Sequence, residues 1–289
     1  MSTLTATPEI PETPETPGAA RATPGGPVYR VTGRRVLSSE WAKLWSLRST
    51  WITLGLGLLF LVAFGVIAAS HYKSEIGSGR PMERGFDSAT AVSLSLFGTN
   101  FAQLALGVLG VLVTAGEYST GMIRSTLAAV PRRLPVLWSK AVVYGLVALV
   151  IATVGAFVAF LVGSQIVSGT PAAMGLGHAG VVRSLLGAGL YLGLVGVIGT
   201  ALGALLRSVA GGISVLVATL MLVPGLISLL PSSWQGDIDP YLPSNAGEAT
   251  FALAHDSTTL SPTAGLLVFL GWTALALAGA AYRLLRSDV

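Results

Sequence analysis

Apolar residues in this chain fall into long continuous runs instead of alternating or sharply two-faced patterns. Six runs stand out, at 51–70, 91–115, 141–166, 184–206, 209–230 and 263–282. A hydrocarbon core about 30 Å thick needs roughly 20 apolar residues in helical form, and each run is of that order. None shows the strict alternation of a barrel strand, and each is longer than one. A helix satisfies its own backbone hydrogen bonds, which a bilayer requires. The pattern predicts an all-α polytopic membrane protein with six transmembrane helices.

Polar positions inside and between the runs add detail. Ahead of the first run, 38–48 reads as a short helix. Leu37, Trp41, Leu44 and Trp45 recur at three- and four-residue steps, with Glu40, Lys43 and Ser46 elsewhere around it. Ser38 or Ser39 can cap it, Glu40 complements its N-terminal dipole, and its tryptophans suit a helix lying in the membrane interface. In the second run Ser93, Asn100, Gln103, Gly107, Gly110 and Thr114 share one face. Amide side chains in hydrocarbon need partners, so Asn100 and Gln103 are expected to meet a substrate pathway or a neighbouring helix. The fourth run carries the pairs Gly189/Gly193 and Gly199/Gly203, which favour close helix packing. The fifth has Pro224 to kink it and Ser214 and Thr219 as polar groups for a cavity. Residues 1–35, with a Pro-Glu-Thr repeat, are expected to form a disordered tail, and 36–289 the six-helix membrane domain.

Charge sets the orientation. Of 17 Lys and Arg residues, thirteen flank one side of the six spans: Arg21, Arg30, Arg34, Arg35, Lys43, Arg48, Arg124, Arg132, Arg133, Lys140, Arg207, Arg283 and Arg286. Lys73, Arg80, Arg84 and Arg183 fall on the other. The positive-inside rule then puts both termini in the cytoplasm. Within the external 232–262 loop, Asp237, Asp239, Glu248 and Asp256 have no cation among them. Their irregular spacing lacks a calcium-loop pattern, so a solvated lid is expected there and no metal site.

The remaining chemistry is mostly exclusion. Only 10% of residues are charged, against about a quarter in soluble domains, and the small basic excess reads as topology and not nucleic-acid binding. Without cysteine there is no thiolate nucleophile or disulfide. His71, His178 and His255 all fall in expected external loops, so no intramembrane serine–histidine pair can be built. No charge lies mid-span, which argues against ion-driven pumping. Gly-Lys never occurs, so the usual phosphate-binding loop is missing and no ATP or other cofactor is expected in this chain.

Three features together resemble the type-2 ABC exporter permease family. They are the segment Ser39-Glu40-Trp41-Ala42-Lys43-Leu44-Trp45-Ser46-Leu47-Arg48-Ser49-Thr50, the segment Glu117-Tyr118-Ser119-Thr120-Gly121-Met122-Ile123-Arg124, and the six-span layout with a long last external loop. The resemblance covers about residues 37–289. It implies an interfacial connecting helix and a coupling helix in the first cytoplasmic loop, docked on a separate ABC ATPase that binds the ATP. It also implies a second permease subunit, as homo- or heterodimer, and residence in the plasma membrane. Glu117, Tyr118, Gly121 and Arg124 would belong to the coupling loop. If 117–130 is helical, Met122, Ile123, Leu127 and Val130 can share an apolar strip for the partner, and Glu117 can pair with Arg124 or a partner cation. Asn100, Gln103, Ser214 and Thr219 are the pathway candidates. The alternative is a non-transporting membrane scaffold or immunity protein, which needs no ATPase. Neither reading makes this chain an enzyme.

Overall fold

The structure is a computed structural model that describes residues 32–78, 88–129, 133–254 and 258–286; the proline-rich tail lies outside them. Among the described residues every regular element is helical. A short helix α1 (Gly33–Ser46) leads into α2 (Arg48–Ser78). The second span is α3 (Ala91–Ser95), one 3-10 turn and α4 (Thr99–Ser119). After it come α5 (Met122–Ala129), α6 (Arg133–Ile166) and α7 (Val181–Leu206). The fifth span is α8 (Val209–Val217), a π turn and α9 (Val223–Ile227). Two short helices, α10 (Ser232–Ile238) and α11 (Pro243–Ala249), precede α12 (Pro262–Arg286). Six of these helical stretches are long and apolar enough to cross a membrane, matching the six runs in number and order.

Helix α7 is the axis of the bundle. In its most apolar stretch 67% of residues are buried, against 17% in the fifth span, which lies at the periphery. Its glycines explain the centrality. A Cβ on Gly199 would lie 2.2 Å from the Gly107 carbonyl oxygen of α4, and one on Gly110 would lie 2.3 Å from the Gly196 oxygen. Neither place admits a side chain, so the two backbones touch reciprocally, as small-residue interfaces in membranes do. Gly189 and Gly193 play the same part against Thr153 and Leu149 of α6. Polar groups pin the assembly: Tyr144 of α6 donates to the Leu106 carbonyl, and Tyr191 of α7 donates to the Gln103 side chain.

Helix ends follow local chemistry. Thr90 and Ser93 form a reciprocal capping box at α3. Arg207, in the left-handed region at φ 54°, ends α7, and Ser208 caps α8 immediately after it. The fifth span widens into a π turn over Ala218–Leu222, just ahead of Pro224. Proline has no N–H to return to the carbonyl four residues back, so an irregular turn there is expected.

Three boundaries differ from the sequence reading. Helix α2 continues to Ser78, so His71 and Lys73 sit on a helix instead of in a loop. Helix α6 begins at Arg133, which places Lys140 inside it. Helix α1 starts at Gly33, earlier than expected, and of its apolar stripe only Leu44 is buried. Val36, Glu40 and Leu44 face inward, while Leu37, Trp41 and Trp45 are exposed. Trp41 stacks on Trp45, which meets Trp51 edge-on, giving an outward aromatic belt of the kind found at bilayer interfaces. Glu40, the one charge on the inward face, is buried because its partners are charged.

Candidate functional site

The corner between α4 and α5 turns on Gly121, whose φ of 74° is a left-handed conformation that side-chain-bearing residues adopt at a cost. Four residues before that corner, in the last turn of α4, is Glu117, and it is buried. Its Oε1 accepts from Lys140 Nζ of α6 at 2.7 Å and from Lys43 Nζ of α1 at 3.0 Å. The same two ammonium groups reach Glu40 of α1, Lys140 to Oε2 at 2.7 Å and Lys43 to Oε1 at 3.0 Å. Two carboxylates and two ammoniums thus close a ring across three helices. Lys140 is only 2% exposed, so most of this ring is shielded from water.

The ring's carboxylates favour the charged form of Lys43. Burial pulls the Lys43 ammonium down, yet hydrogen bonds and charges from Glu40 and Glu117 outweigh it and raise its pKa above the ordinary 10.5. Lys43 also reaches the Thr126 hydroxyl of α5 at 3.4 Å, so the ring touches the loop helix itself. One atom stays unsatisfied: Glu117 Oε2 is buried and has no hydrogen-bond partner. It adjoins a cavity of about 250 Å³ lined by Leu44, Leu112, Met122 and the four charged residues.

A second tie holds the corner from the other side. The guanidinium of Arg207, in the α7–α8 turn, lies 5.3 Å from the ring centre of Tyr118, a cation–π contact. Glu117 and Tyr118 together connect the corner to α1, α6 and the α7–α8 turn. At the same end Arg133 donates to the Leu284 carbonyl at 3.2 Å, drawing in α12.

The expected coupling residues divide between two faces. Glu117 and Ile123 (4% exposed) point inward; Met122 (45%) and Arg124 point outward, with Tyr118 and Leu127 partly covered. Met122 and Ile123 therefore do not share one outward strip, and Val130 lies outside the described residues. Adjacent helical positions are about 100° apart, which separates them across the surface of so short a helix. Glu117 pairs within this chain, with Lys43 and Lys140, and forms no ion pair with Arg124.

The pathway candidates also separate. Asn100 lines a cavity of about 620 Å³ at the opposite end of the bundle, between the start of the second span and the α10–α12 region. Gln103, one turn on, is buried between α4 and α7; it accepts from Tyr191 and donates to the Asn100 carbonyl at 3.2 Å. Ser214 is exposed on the fifth span, and Thr219 donates back to the Val215 carbonyl at 2.7 Å. No group of three or more metal-ligating side chains occurs among the described residues.

Glu40, Lys43 and Lys140 were not singled out as site residues, although each left a sequence signal. Glu40 stands four residues from both Val36 and Leu44, and Lys140 four residues from both Val136 and Tyr144, all of them buried. A charge in register with an inward apolar face implies a buried partner. Comparison with protein-family models gives no match, and comparison with curated proteins gives none either.

Proposed function

We propose that this chain is the membrane-spanning permease subunit of an ATP-driven exporter of the type-2 ABC kind. It would work as a dimer in the plasma membrane with both termini cytoplasmic. The observation that carries this reading is the charge ring beneath the α4–α5 corner. A loop helix that merely rests on a membrane needs no rigid link to the bundle. Here α5 leaves from a corner fixed to α1, α6 and the α7–α8 turn through Glu117 and Tyr118. Force applied to α5 by a partner would therefore move several helices together. Its outward residues, Met122, Arg124, Ser125 and Ala128, form the face offered to an ATPase that supplies the ATP site.

The test uses two sets of variants. Met122→Asp with Ala128→Asp alters the outward face and should leave the subunit folded while abolishing binding and stimulation of the co-expressed ATPase. Single cysteines at Ser125 and Ser261 should label from opposite sides of the membrane, Ser125 from the cytoplasm. If no ATPase co-purifies with the native chain, or the double variant stimulates it normally, the coupling role is lost and the scaffold alternative takes its place.

A further inference from the structure

The opposite end of the bundle contains a pocket that the coupling reading leaves without a role. Its volume, about 620 Å³, falls within the range of small-molecule sites. Val92, Leu96, Phe97, Phe251, Leu253 and Leu260 supply apolar wall. Glu248 from α11 and Asp239 from the preceding 3-10 turn supply carboxylates, and none of the described lining residues is a cation. Both carboxylates lack a hydrogen bond or ion pair among the described residues. The nearby polar groups have separate engagements. Asn245 donates to the Asp239 backbone at 2.9 Å, and Arg183 of α7 donates to the Thr250 and Ala252 carbonyls at 3.3 and 2.6 Å. Among the described residues, the guanidinium of Arg183 is therefore held by backbone oxygens.

Resting on the permease reading for its physiological sense, but not for its geometry, we infer that this pocket binds an organic cation with an apolar body, Glu248 being the charge that recognises it. The chemistry is complementary on three counts. A partly buried carboxylate without a partner gains more from an arriving cation than an exposed one does. Phe97 and Phe251 line the same pocket and can add cation–π attraction, and the aliphatic wall takes the remainder of the ligand. Asn100 adds an amide oxygen at the rim; its Nδ2 makes a long, 3.4 Å contact to the Phe97 carbonyl. Among the described lining residues an anion would meet two carboxylates and no cation.

Protonation of Glu248 supplies an independent signature. Burial pushes its carboxyl up to about 7. Among the described residues, the titratable and charged groups near it are Asp239 from the 3-10 turn and Tyr191 and Arg183 from α7; the described parts of α3, α4 and the adjoining end of α12 contribute none. The carboxylate form increases from about one-tenth to about nine-tenths between pH 6 and pH 8, so cation binding should tighten about tenfold over that interval.

The experiment measures binding to the purified chain in phosphatidylglycerol nanodiscs, without any ATPase. The probes are tetraphenylphosphonium, its neutral relative triphenylphosphine oxide and the anion tetraphenylborate. Tetraphenylphosphonium should bind saturably, tighter at pH 8 than at pH 6, while the other two bind no better than to empty discs. Glu248→Gln should weaken the cation at least tenfold and flatten its pH profile; Ser46→Ala, exposed on α1 and outside the pocket, should change neither. Adding phosphatidylethanolamine identifies the source: competition marks a lipid ammonium as the occupant, and no competition marks a free solute. Equal cation binding by wild type and Glu248→Gln, or equal binding of tetraphenylborate, overturns the inference. Since no ATP hydrolysis is read, that result leaves the permease proposal standing, and failure of ATPase coupling leaves this site standing.

Discussion

Both ends of this bundle hold carboxylates at the edge of an apolar interior, but they manage the charge in opposite ways. At the α5 end Glu40 and Glu117 are closed into a ring with Lys43 and Lys140. At the α11 end Glu248 and Asp239 face a pocket with no cation among its described lining residues. Burying an ion is costly unless a partner offsets it, so the two solutions have different consequences. A closed ring fixes helices relative to one another and leaves little for a ligand to gain. An unpaired carboxylate keeps its attraction available. On the two proposals above, the first end would serve mechanical connection and the second recognition.

The strongest way to break this contrast is to open the ring. Lys140→Met removes the most buried member and leaves two carboxylates sharing one half-exposed ammonium. Stranding buried charges in this way costs about 3–5 kcal/mol. Thermal unfolding in detergent should show the loss as a much lower midpoint and reduced accumulation in the membrane. Converting Glu40 and Glu117 to glutamine in the same background should recover most of it, because the cost lies in the orphaned charges. A single variant within about 1 kcal/mol of wild type would mean that water reaches the ring and that it is no rigid link.

How much of this was visible in the sequence differs between the two ends. The six spans were legible because runs of about 20 apolar residues leave few alternatives in a bilayer. The packing role of Gly189, Gly193 and Gly199 was legible for a related reason, since small residues one turn apart mark close approach. The ring was not read as such. Glu40, Glu117 and Lys140 come from three helices 23 to 100 residues apart, and charge near a span end is ordinarily a topology signal. Trp41 and Trp45 read as interfacial residues, and both are exposed on α1. Gln103 and Asn100 share a helical face in projection. Tyr191 decides that one is a packing contact and the other a pocket wall, and no spacing rule contains that tyrosine.

The unpaired end predicts a smaller effect of opposite sign. Glu248 ionises near 7 in the folded chain and near 4.5 in an unfolded one, so the folded state holds more protons between those values. Stability should therefore fall as pH rises from about 4.5 to about 7 and level off above. Glu248→Gln removes that dependence. It should match wild type near pH 4.5 and exceed it at pH 8 by up to about 3 kcal/mol, allowing for partial exposure. Parallel unfolding curves for the two proteins across this interval would show Glu248 to be fully solvated, and the contrast between the ends would lose its second half.

The smallest effect belongs to Lys43, and it sharpens the comparison inside the ring itself. Lys43 makes as many carboxylate contacts as Lys140, one to each glutamate, but its contacts are longer and its side chain is 29% exposed, against 2%. Water already screens part of its attraction, and a partly exposed pair contributes about 0.2–1 kcal/mol. Lys43→Met should lower stability by about that amount. The loss should shrink further in high salt, whereas the Lys140→Met loss should hardly respond to ionic strength. Lys43 is also the ring member that reaches α5, through Thr126. Its removal should therefore reduce ATPase stimulation more than its small stability cost implies. A stability loss as large as that of Lys140→Met would make the two lysines equivalent and assign the ring to folding alone; a small loss with impaired stimulation is the result expected of a mechanical link.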